Sequence, residues 1–286
     1  MAVYERSYHG YDGELTGTGN RILVISKFAT RELFRSRMFC AFFAICFVPS
    51  VSFLIAIYLR YNLEMLTELQ IPIDEIFIID AGFFINFLQY PQASLSFLLA
   101  LVVGPGMISP DLRDNAMPLY LSRALTKTDY LLGKLLVLVV LLSLITWVPA
   151  VLLFFIHAYL GPEGWLVDNL QLPFAFIVTS FAWIFTLSLT ALALSAWIKW
   201  KQVAQITFFG FFVMSSALGE AVREIFGGWL GSAFSAFDSY AVLISYAANE
   251  PVPISMPPSV AIMNMLVLSA LATALIFQRI RAKEVA

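Results

Sequence analysis

The chain has little charge. Of its 286 residues, 17 are Lys or Arg and 19 are Asp or Glu, 13% in all against 60% hydrophobic, where a soluble domain carries roughly a quarter charged residues. So few charges cannot cover a soluble fold of this length without leaving large apolar patches, and a fused soluble catalytic domain of ordinary size is excluded. The two cysteines, Cys40 and Cys46, fall inside one apolar run and imply no disulfide framework. The two histidines, His9 and His157, are far apart in sequence. No phosphate-binding G-x-x-x-x-G-K-[ST] loop is present, since Gly133-Lys134 is followed by Leu135 and lacks the upstream glycine. Met1 to Asn20 lacks the apolar core of a signal peptide. A net charge of −2 and a pI near 5.7 give no sign of nucleic-acid binding. Internal repeats, heptads and low-complexity segments are also missing.

What is present is apolar length. The mean hydropathy is +0.84, and at about 20 residues per crossing the chain holds six helical spans. Window hydropathy predicts them near Phe39 to Tyr58, Ser94 to Ile108, Leu135 to Leu153, Phe174 to Ile198, Val203 to Leu218 and Val260 to Phe277, the second starting as early as Phe87. Gly104-Pro105-Gly106 weakens the helix at the end of span two. If the N-terminus is cytoplasmic, every Lys and Arg except Arg60 and Arg223 falls inside, a strong positive-inside bias. It favours an even number of spans, with both termini in the cytoplasm and the protein in an inner (cytoplasmic) membrane. Trp197 and Trp200 flank an inner turn, as interfacial aromatics should. Acids such as Glu64, Asp74, Glu163, Glu220 and Asp238 gather outside. They could funnel a cationic solute, but without His or Cys beside them they read better as solvation of the outer loops.

None of the six predicted stretches contains Asp, Glu, Lys, Arg or His, and His157 is placed beyond the third. Proton-coupled carriers and intramembrane enzymes need such groups in the bundle. The chain is therefore not expected to be an enzyme, to bind a metal or cofactor, or to power transport itself. The long outer connection from Glu220 to Pro258 is bracketed by Gly227-Gly228 and a proline series, with Phe234 to Ala247 predicted as a short helix on or in the outer leaflet.

Two inner segments carry positive signals. In the first, Lys27, Arg31 and Arg35 form an i, i+4, i+8 stripe, with Ile22, Ile25, Ala29 and Leu33 on the other side. That pattern predicts an interfacial helix whose basic side chains reach anionic lipid. The second is the 109–134 loop. Pro110 suits a helix start, Asp111 and Asp114 its first turn, Pro118 interrupts it, and Thr126 reads as the N-cap of the next helix, three residues before Asp129. Met117, Leu119, Tyr120 and Leu121 form an apolar knob between Arg113 and Arg123, where a plain linker would be polar.

The run Ile108 to Arg123, followed by Thr128-Asp129-Tyr130-Leu131-Leu132-Gly133-Lys134, resembles the permease subunits of ABC-2 type ATP-binding-cassette transporters. Members commonly have an acidic residue near Asp111, a Ser-Arg-Pro, then an acidic residue, Tyr and Gly-Lys. Here Ala124 stands where the proline is usual. The resemblance extends over the six-span region 21–286, after a cytoplasmic tail 1–20. It implies an all-α integral membrane protein that forms a pathway as a dimer with a second copy or a related permease. A separate ATPase, which binds the ATP and Mg, would dock on a cytoplasmic coupling helix between spans two and three. Asp111, Arg113, Asp114, Met117, Leu119, Tyr120 and Arg123 would be the coupling residues, braced by Lys27, Arg31 and Arg35. Thr179, Thr186 and Thr190, near one face of span four, are candidates for lining the pathway. The expected function is the membrane subunit of an ATP-driven exporter. The alternative is a scaffold whose ATPase does mechanical work on envelope partners without moving solute.

Overall fold

A computed structural model describes residues 18–62, 78–115, 126–252 and 254–279, and all regular structure among them is helical. Helix α1 (Thr18–Phe34) begins inside the expected tail. Ser36 then caps α2 (Arg37–Ile45) by accepting a hydrogen bond from the Phe39 backbone N–H, and α3 (Val48–Tyr61) follows after a short break. Asp80 caps α4 (Ala81–Phe87) through the Phe83 N–H at 3.0 Å. Pro91 has no N–H to give the helix, and the chain passes it in a wide π-turn (Leu88–Gln92) before α5 (Ala93–Val103). A 3₁₀ turn at Gly104–Gly106 leads to the short α6 (Ser109–Arg113). Then come α7 (Lys127–Ile145), α8 (Trp147–Leu160), α9 (Trp165–Asp168), α10 (Gln171–Trp197) and α11 (Lys201–Phe226). A 3₁₀ turn (Gly231–Phe234), α12 (Ala236–Ala247) and α13 (Pro258–Arg279) complete the chain.

Among the described residues, six helical stretches are long and apolar enough to cross a membrane: Arg37–Tyr61, Ala81–Arg113, Lys127–Leu160, Gln171–Trp197, Lys201–Phe226 and Pro258–Arg279. The chain is a multi-pass membrane protein. These spans are longer than the hydropathy windows, most of all span two, because helices continue past the apolar stretch into capped, charged ends. That corrects two expectations. Charged residues such as Asp111, Lys134 and Arg223 belong to span ends, and His157 lies within α8, where it is buried. Tyr159, its near neighbour, is exposed.

Span four, α10, is the centre of the bundle and packs on α5, α7, α8, α11, α12 and α13. In span two and span four, 61% of the most apolar stretch is buried inside the protein, against 11% in span one. Lipid is as apolar as leucine, so contact between spans depends on close packing and internal hydrogen bonds. Trp183 is fully buried, donates from its indole N–H to Ser96 Oγ at 2.8 Å, and stacks on Tyr240 at 5.2 Å. Tyr240 belongs to α12. This helix, predicted to lie on or in the outer leaflet, dips into the bundle and buries most of its length against α10 and α13.

One end of the bundle, the α1 end, gathers α1, the 104–113 segment, the start of α7, the α10–α11 turn and the end of α13. Trp197 donates to the Leu275 carbonyl at 3.0 Å and lies beneath the Arg279 guanidinium. The segments at this end come from both ends of the described chain.

Candidate functional site

The 109–134 connection leaves and re-enters the bundle at the α1 end, and both of its roots are fastened. At the first root, the Gly104–Gly106 turn frees backbone groups that a continuous helix would satisfy. Ser195, on the last turns of α10, takes them up: its Oγ accepts from the backbone N–H groups of Ile108 and Ser109, each at 2.9 Å, and donates to the Pro105 carbonyl at 2.9 Å. Ser109 Oγ reaches the Ile198 carbonyl at 2.7 Å in return. Both serines are fully buried. Gly104 lets the two spans touch here, since a Cβ at that position would stand 2.4 Å from Ala191 Cβ.

The second root starts at Thr126. Its side chain accepts from the Asp129 N–H at 3.1 Å, and the Asp129 carboxylate accepts from the Thr126 N–H at 3.1 Å, a reciprocal cap that opens α7 as predicted. One turn further on, Tyr130 and Lys134 share a helix face and meet the same atom, Asp111 Oδ2. The Tyr130 hydroxyl donates to it at 2.5 Å and the Lys134 ammonium lies 3.0 Å away. Lys134 also stands over the Tyr130 ring. The Asp111 and Lys134 side chains keep only 17% and 13% of their exposure, so this pair lies between a surface ion pair, worth 0–1 kcal/mol, and a buried one whose disruption costs 3–5 kcal/mol. In a double-mutant cycle of Asp111→Asn and Lys134→Met, read by unfolding of the purified protein in detergent, the expected coupling is about 1–3 kcal/mol.

Arg113 and Asp114 behave differently. They pair with each other at 2.8 Å at the exposed C-terminal end of α6, where the Arg113 hydrogen bond holds the Asp114 carboxyl below its ordinary range. This pair leaves a charged, solvated edge. Met117, Leu119, Tyr120 and Arg123 lie outside the described residues.

Helix α1 backs onto α7. A Cβ on Gly133 would lie 2.8 Å from Ile25 Cγ2, so glycine there lets the two helices meet closely. Ile22, Ile25, Ala29 and Leu33, the apolar side of the sequence pattern, face the protein, and Ser26 is buried among them with its hydroxyl donated to the Ile22 carbonyl. Lys27, Arg31 and Arg35 are all exposed, with Leu23, Val24 and Phe28 between them.

Thr179, Thr186 and Thr190 are buried and donate to the carbonyls of Ala175, Ala182 and Thr186 on their own helix; Thr186 also lies 3.3 Å from Ser269. Their hydroxyls are satisfied within α10, and among the described residues Thr186 alone of the three also meets α13 through Ser269.

At the opposite end the structure assembles a cluster with no local sequence signal. The His157 ring lies 3.1 Å from the Tyr61 hydroxyl through Nδ1, 96 residues away, and 4.3 Å from the Trp165 ring. Phe84 closes a further side. Among the described residues no group of His, Cys, Asp and Glu is placed to hold a metal ion. No family model matches the chain, and no curated protein matches it in sequence.

Proposed function

We propose that this protein is the membrane-embedded permease subunit of an ATP-driven export complex of the ABC-2 type. A separate ATPase docks on the 109–134 connection at the α1 end, which faces the cytoplasm of an inner membrane. The pathway forms with a second copy or a related permease, and ATP and Mg are bound by the partner.

The observation that carries this reading is the double anchoring of the connection. Ser109 is tied to span four through Ser195, and Asp111 is tied to span three through Tyr130 and Lys134. A push on the connection is thus delivered to spans two, three and four together, which is what a subunit with no power source of its own requires. The resemblance of Ile108 to Lys134 to ABC-2 permeases supports the same assignment.

The test is affinity purification of the full chain from its native membrane in mild detergent. A separate cassette-type ATPase is expected to accompany it. Alanine at Leu119 and Tyr120, outside the anchored roots, is expected to lower that association at least ~10-fold, the effect of removing a central apolar anchor, and to abolish ATP-dependent flux into inverted vesicles. Recovery of the chain without any ATPase overturns the proposal. ATPase binding with no flux selects the scaffold alternative.

A further inference from the structure

The outward face of α1 has more than charge. A cleft of about 640 Å³ opens along it, its described lining formed by Phe28, Arg31, Glu32, Phe34 and Arg35. Phe28 is 68% exposed. From Phe34 an aromatic ladder runs into span one: Phe34 meets Phe43 edge-on at 5.5 Å, and Phe43 meets Phe47 at 5.4 Å, with Phe39 buried beside them. Only Ser36 separates Arg35 from Arg37, where span one begins, so the cleft sits at the level at which the chain enters the bilayer. Two guanidiniums at that level, continuous with a ring-lined descent into the apolar zone, match a molecule with an anionic head and an apolar tail. Glu32 is the opposing charge, and it leaves the described lining net positive.

We infer that this cleft is a site for an anionic phospholipid of the surrounding bilayer, its phosphate held between Arg31 and Arg35 and its acyl chain lying along Phe34, Phe43 and Phe47. A soluble partner would meet the basic face but would have no use for the ladder, which descends along a membrane span. Guanidinium suits the head, because it pairs with phosphate through two N–H groups at once. Occupancy has a consequence for the connection. The cleft lies on the face of α1 away from α7, so a lipid there pins α1 at the bilayer surface, and the opposite face of that pinned helix carries Ile25 against Gly133, one residue from the Lys134 that grips Asp111. Anionic lipid thereby steadies the root of the coupling segment. This consequence rests on the proposed function, whereas lipid binding itself requires no ATPase.

The experiment uses the purified full chain in dodecylmaltoside, titrated with phosphatidylglycerol, phosphatidylcholine or glycerol 3-phosphate while thermal unfolding is followed. Phosphatidylglycerol is expected to raise the unfolding midpoint, and the other two are not. In the R31Q/R35Q variant the concentration of phosphatidylglycerol giving half the shift is expected to rise about 10- to 30-fold, since each basic residue near an anionic surface contributes modestly. The midpoint in phosphatidylcholine should stay unchanged, because both side chains are exposed. An equal response to the two lipids, a response to glycerol 3-phosphate alone, or an unaltered response in R31Q/R35Q overturns the proposal. So does a phosphatidylglycerol effect that appears only after a partner ATPase is added, which would assign the face to protein.

Discussion

Ser195→Ala is expected to destabilise the protein by about 2–4 kcal/mol, while Ser188→Ala, seven residues earlier on the same helix, is expected to change stability by less than ~0.5 kcal/mol or to raise it. Both serines are fully buried on α10. Their hydroxyls differ in what they touch. Ser195 Oγ satisfies the N–H groups of Ile108 and Ser109 and the carbonyl of Pro105, and alanine would leave three buried backbone groups without that partner, at 1–3 kcal/mol for each one left unmet. The total is held below the simple sum because the helix interrupted at Gly104–Gly106 can relax, and because hydrogen bonds between spans are individually modest. Ser188 Oγ has no partner among the described residues, so its removal relieves an unmet group. Unfolding of the two variants in detergent, side by side, checks the contrast; equal effects would mean that the Ser195 joint contributes nothing. The Ser195 variant should also loosen the Asp111 root, since α6 directly follows the joint, and protease cleavage between spans two and three should quicken.

Gly231→Ala is expected to be worse, costing more than ~3 kcal/mol and detaching the Gly231–Phe234 turn from α11. A Cβ on Gly231 would sit 2.1 Å from the Gly219 carbonyl oxygen and 2.6 Å from the Arg223 nitrogen. These are backbone atoms of a long helix, and unlike a flexible side-chain tip they cannot step aside. Gly219→Ala meets the same contact from the other side, 2.6 Å from the Gly231 oxygen. Gly210, on the same helix, is the control. Among the described residues, nothing beyond the adjacent backbone of its own helix lies within 4 Å of a Cβ built there, so Gly210→Ala is expected to gain up to ~1 kcal/mol from helix propensity. Yield of monodisperse protein and thermal unfolding in detergent distinguish the three. A tolerated Gly231→Ala would show that the turn does not rest on α11 as described.

Much of the architecture was legible from neighbouring residues. Thr126 and Asp129 announced the cap of α7 because a hydroxyl and a carboxylate three residues apart meet each other's backbone N–H groups. Gly104-Pro105-Gly106 announced the break in span two, which the structure places before its last turns, for an equally local reason. The ends of span three were less legible. Hydropathy stopped it before His157, because a window average falls at an imidazole, yet the helix buries that ring among Tyr61, Trp165 and Phe84. The root at Asp111 was half legible: Asp111, Tyr130 and Lys134 all stood in the run singled out from the sequence, but their mutual contact, across some 20 residues, was not visible there.

The sequence by itself determined the number of spans, where they turn, and which segments carry charge, since apolar length, caps and breakers act within a few residues. Only the tertiary structure decided which side of each membrane span faces inward, whereas on α1 the spacing of basic and apolar residues already separated the two sides. The tertiary structure placed Ile25 against Gly133, brought Ser195 to a break some 90 residues away in sequence, and set Gly219 on Gly231. The physical reason is that a span meets two apolar environments, lipid on one side and neighbouring helices on the other, so its sequence shows little of the periodicity that marks the inner face of a soluble helix. Rotation of each helix is then set by small residues, ring shapes and a few hydroxyls, and those act only once the helices are side by side.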